Sequence, residues 1–74
     1  MTAVILEYGP YECGAFAVGG SFDVLLENGS LVKSFHWYER TGGVRDILAA
    51  SGLMSRNVAN NRAILLRDRL NGVA

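Results

Sequence analysis

Seventy-four residues make one domain with a single thin core, because a chain this short hides only about 60% of its unfolded-state surface. Half of the residues are apolar, yet no apolar run approaches the roughly 20 residues that span a bilayer, and the single cysteine, Cys13, excludes an internal disulfide. The chain is neutral only by cancellation: residues 1–39 carry Glu7, Glu12, Asp23, Glu27 and Glu39 against Lys33, a net of −4, and residues 40–74 carry six arginines against Asp46 and Asp68, a net of +4. Strands carry the acidic part and helices the basic part, so each charge set is expected on its own side of one body, where it can face a partner.

The opening Met-Thr-Ala-Val-Ile-Leu meets Glu7 early and has no basic flank, so a secretory leader is not expected and a reducing cytoplasm fits. Ala3 to Glu7 reads as a first strand and Tyr11 to Val18 as a second, with Gly9-Pro10 between them, where proline removes a donor and fixes φ. Gly14, Gly19 and Gly20 loosen the second strand and suit a bulge or an edge position. Gly14 to Ser21 also matches a phosphate-binding loop except at the lysine, where Gly20 stands. That loop must open a helix whose amides cradle phosphate, whereas Phe22 onward alternates as a strand, so no nucleotide site is expected.

Asn28-Gly29 predicts a type I′ hairpin turn between two runs of β-formers. In that register Leu26 faces Leu31, Val24 faces Lys33 and Phe22 faces Phe35, which gathers Phe22, Val24, Leu26, Leu31, Phe35 and Trp37 on a core face. The other face holds Asp23, Leu25, Glu27, Val32, Ser34, His36 and Tyr38, too apolar to be simply solvated. Asn28-Gly29-Ser30 is formally a glycosylation sequon, which its turn role explains.

His36 falls diagonal to Asp23, near enough for a carboxylate to orient an imidazole. A general base still needs a nucleophile and an oxyanion site, and Ser21 and Ser34 are only strand neighbours, so a surface histidine is the preferred reading and no catalytic residue is predicted. One histidine and one cysteine are too few for a structural zinc site, so no metal or cofactor is expected. The run Phe35-His36-Trp37-Tyr38 beside Lys33 invites comparison with a base-stacking sheet, but alternation sends Phe35 and Trp37 inward and leaves His36 and Tyr38 as an interface patch.

After Tyr38 the period changes. Thr41 can cap a short helix bearing Val44, Ile47 and Leu48, closed by Gly52 and Leu53. Ser55 caps a second helix reaching about Leu70, with Ala59, Ala63, Leu66 and Leu70 as one narrow stripe. Arg56, Asn60 and Arg67 flank that stripe, Asn57, Asn61 and Asp68 point outward, and Val58 with Leu65 form a second apolar line that a monomer does not need.

Leu48 to Asn61 resembles a helix-turn-helix, with Gly52 in the turn and Val58 facing the first helix. The resemblance implies base contacts from Arg56, Asn57, Asn60 and Asn61, since arginine pairs with guanine and asparagine with adenine. Ser55 arrives one place late for that pattern, and Asn61 stands where an apolar residue is needed.

The fold expected is α+β: a three- or four-stranded antiparallel meander over about residues 1–39, with two C-terminal helices within about 41–71 packed on one face. The function expected is a non-enzymatic protein-binding module, an inhibitor or adaptor that homodimerises. Its partner-binding residues are Arg56, Asn57, Asn60, Asn61 and Arg67 on the helix and His36 and Tyr38 on the sheet. In size and architecture it resembles the phage proteins that block host machinery, anti-CRISPR proteins among them. The alternative is a DNA-binding transcriptional regulator that uses residues 55–70 as its recognition helix.

Overall fold

The computed structural model describes residues 2–12, 14, 17–40 and 54–72. Strands β1 (Ala3–Glu12), β2 (Ala17–Leu26) and β3 (Leu31–Arg40) form an antiparallel meander in the order β1-β2-β3, and helix α1 (Arg56–Leu70) crosses all three on one face. One expectation is corrected. Among the described residues one C-terminal helix packs on the sheet, not two, and the short helix expected from Thr41 to Gly52 lies outside them. The strands number three, within the three or four expected: of the expected second strand, Tyr11 and Glu12 belong to β1 and Ala17 and Val18 to β2.

Gly9-Pro10 does not end β1; it bulges it. Tyr8 pairs with Ser21 and Tyr11 with Gly19, so Gly9 and Pro10 together oppose Gly20 alone. The Gly9-Pro10 peptide is cis and Gly9 takes a φ of 94°, a conformation open to glycine and costly for most other residues. One extra residue exchanges the faces beyond it. Tyr8 and Tyr11, three positions apart, therefore point the same way.

The β2–β3 hairpin has the expected pairs Phe22–Phe35 and Val24–Lys33 but a different turn. Gly29 N–H donates to the Leu26 carbonyl at 2.8 Å and Leu26 N–H to Ser30 at 2.9 Å, which centres the turn on Glu27-Asn28 with Gly29 following at a φ of 87°. This is a three-residue loop rather than the two-residue type I′ turn, and it moves the pairing by one place. A second irregularity, between Val24 and Leu25, restores the register for the rest of the strand: Leu25 pairs with Leu31 where Leu26 was expected to.

The helix-side face carries Phe22, Val24, Phe35 and Trp37, all buried, against Ala59 and Ala63, which have no exposed surface. Two alanines at the contact let the helix backbone approach the sheet closely, while Leu66 and Leu70 of the same stripe close the edges. Met54 enters α1 along β3, its carbonyl accepting the Tyr38 N–H at 3.1 Å. Ser55 caps the helix as expected, Oγ accepting from Val58 N–H at 3.4 Å. Val58 and Leu65 lie exposed on the outward side. No helix among the described residues is long and apolar enough to cross a membrane.

The helix is fastened at its other end by Asn71. Its Oδ1 accepts the Ala3 N–H at 2.6 Å and its Nδ2 donates to the Ala3 carbonyl at 3.1 Å, a two-bond pairing across 68 residues of sequence. Asn71→Ala is expected to lower stability by about 1–2 kcal/mol, since it removes both bonds and strands two part-buried backbone groups. Asn71→Asp, which keeps the acceptor and loses the donor, should fall between the two in urea denaturation.

Candidate functional site

The face of the sheet opposite α1 is uncovered among the described residues, and the register shows how it is built. Three rows run across it: Tyr11–Gly19–Tyr38, then Tyr8–Ser21–His36, then Leu6–Asp23–Ser34. In the first two rows the central strand supplies only glycine and serine, while the edge strands supply large rings. The result is a trough of about 360 Å³, walled by Tyr8 and Tyr11 on one side and His36 and Tyr38 on the other, floored by Gly19 and Ser21. Binding clefts of this size are typical for small groups.

Asp23 stands at one end of the trough, and its Oδ1 is withdrawn from solvent with no hydrogen-bond partner among the described residues. A carboxylate oxygen in that position lacks the donor that burial normally requires. His36 lies on the diagonal to Asp23 as the hairpin predicted, but no hydrogen bond joins them among the described residues. Ser21 is likewise present as floor. The three are neighbours without the linkage that a hydroxyl nucleophile and its base require.

The expected partner-binding residues divide between the two faces of the sheet. His36 and Tyr38 line the trough. Arg56, Asn57, Asn60, Asn61 and Arg67 belong to α1 on the far side. Arg56 pairs with Glu7 of β1, and its guanidinium lies 5.5 Å from the Trp37 ring centre and 6.0 Å from that of Phe22, so it closes the core over the aromatic pair. That contact also corrects the expected segregation of charge, since an acid of the sheet and an arginine of the helix meet directly. Arg67 holds Asp68 at 3.0 Å, while Asn57 and Asn61 are exposed and Asn60 is half-buried.

Tyr8, Tyr11, Ser21 and Asp23 complete the trough and were not among the expected site residues. A first strand that ends at Glu7 leaves Tyr8 outside it and Tyr11 on the next, which hides that both stand on one face of β1. On the helix side, Lys33, Arg62 and Arg69 border a smaller groove of about 280 Å³ over Phe35, Leu65 and Leu66. The chain matches no family model, and neither a curated protein nor a solved structure matches it.

Proposed function

We propose that the chain is a non-enzymatic protein-binding module, an inhibitor or adaptor, that docks through the open face of its sheet. One observation carries this reading. Val4, Leu6, Tyr8 and Tyr11 lie along β1 between 44% and 55% exposed, on a face whose opposite side is closed by α1. A row of large apolar groups left in water on one side of a two-layer domain is the signature of a surface that a second protein covers.

A duplex-reading role for residues 55–70 is the second reading, favoured by the exposed Asn57 and Asn61. Arg56, the side chain that reading needs for guanine, is engaged by Glu7 and the core aromatics. Affinity capture from the native host with the purified chain, with and without nuclease, separates the two readings. The binding-module reading predicts a protein captured equally in both. Capture that disappears with nuclease would transfer the function to the helix. Sedimentation of the purified chain decides whether a second copy is the occupant, which it would be if a dimer formed and Leu6→Lys dissociated it.

A further inference from the structure

We infer that the trough on the open sheet face receives an arginine side chain carried by the partner protein, with Asp23 as the carboxylate that its guanidinium meets. The inference rests on the docking-face reading and names the group recognised there. Four features of the trough select that group.

The walls come first. Tyr8 and Tyr11 face His36 and Tyr38 across a central strand reduced to Gly19 and Ser21, so a flat group or a slender stem passes between rings. Guanidinium is planar, weakly hydrated and stacks on aromatic faces. Charge comes second: of the described residues lining the trough, Asp23 is the one carboxylate, and no lysine or arginine is among them. A phosphate or a nucleic-acid backbone would meet that carboxylate with no lysine or arginine beside it, only the His36 imidazole.

Third, Asp23 Oδ1 is out of solvent and has no donor among the described residues. A turn of the carboxyl toward the trough brings that oxygen to the donor the fold leaves out, and a guanidinium offers a fork of them. Length is the fourth feature. The rows of Gly19, Ser21 and Asp23 follow each other at about 6.6–6.8 Å, two residues of strand, so a stem lying over Ser21 between Tyr8 and His36 carries its head one row on, to Asp23. Arg40, paired with Ala17, lies three rows from Asp23, at the opposite end of the face.

The test uses the full chain, labelled with ¹⁵N, titrated with acetyl-Gly-Arg-Gly-amide and with the same peptide carrying citrulline, which keeps the shape and removes the charge. The arginine peptide should shift the amides of Gly19, Ser21, Asp23 and His36, and citrulline should bind at least tenfold more weakly. Asp23→Asn should lose at least tenfold in affinity while melting no lower than the parent, because the replaced oxygen holds no bond of the fold. Tyr8→Leu should lose several-fold, and Asp23→Ser provides a second carboxylate-free variant should the first fold poorly. Equal response to both peptides, shifts confined to α1, or full binding by both Asp23 variants would each overturn the inference. So would a single-stranded oligouridine that displaced the peptide from these same amides. If the partner is still captured through the sheet face while arginine selectivity is absent, only this inference falls; if the partner is not held by that face at all, the docking reading falls with it.

Discussion

Trp37→Ala is expected to remove about 3–5 kcal/mol of stability and to leave little folded protein. Trp37 is 1% exposed and is, with Val24, one of the two largest fully buried side chains. A core of this size nets only roughly 3–5 kcal/mol, so the loss equals the whole margin. The indole Nε1 has no hydrogen-bond partner among the described residues, which makes the contribution one of packing under Arg56 rather than of polar bonding. Trp37→Phe should therefore keep much of the stability that alanine loses. Far-ultraviolet circular dichroism and urea denaturation read both variants. A normally folded Trp37→Ala protein would mean that the aromatic run is turned outward, with β3 slipped by one residue.

Gly20→Ala should be nearly as damaging, by about 2–3 kcal/mol, although it adds a single methyl group. Gly20 pairs with Trp37 across β2 and β3 and lies beneath its ring. A Cβ there would stand 2.8 Å from Trp37 Cζ2 and closer still to the backbone carbonyl of Tyr8. The indole can shift only at the expense of the core, and the carbonyl belongs to the β1–β2 ladder. Because the added methyl and the indole touch, the two substitutions should not add: in a Trp37→Phe background the alanine should cost less. A Gly20→Ala protein as stable as the parent in urea would show that β1 and β3 do not close over this position.

The two effects come from opposite kinds of sequence information. Trp37 is legible, since alternation from the Asn28-Gly29 turn fixes which side of β3 it takes. The turn itself differs from the one expected, and the inward face survives because the irregularity near Val24 cancels the offset it introduces. Helix α1 is legible from Ser55 to Leu70, where a cap and an Ala59-Ala63-Leu66-Leu70 stripe agree. The trough is not legible in that way. Gly9-Pro10 carries the local signal of a break, and only pairing with β2 turns it into a bulge that sets Tyr8 and Tyr11 on one face. Arg56 is hidden for a related reason: its ion pair spans 49 residues of sequence, beyond any pattern of spacing along a helix. The short helix expected after Thr41 lies outside the described residues.

On the proposed reading the partner sits on the open sheet face and not on the helix. The most direct measurement is nuclease-treated capture with two double variants, Leu6→Lys with Tyr8→Lys on the sheet and Val58→Lys with Leu65→Lys on the outward line of α1, each checked for parental circular dichroism. Both pairs replace exposed side chains, so neither should unfold the domain. The sheet pair is predicted to lose the captured protein and the helix pair to retain it. Retention by the sheet pair with loss by the helix pair would place the docking surface on α1 instead.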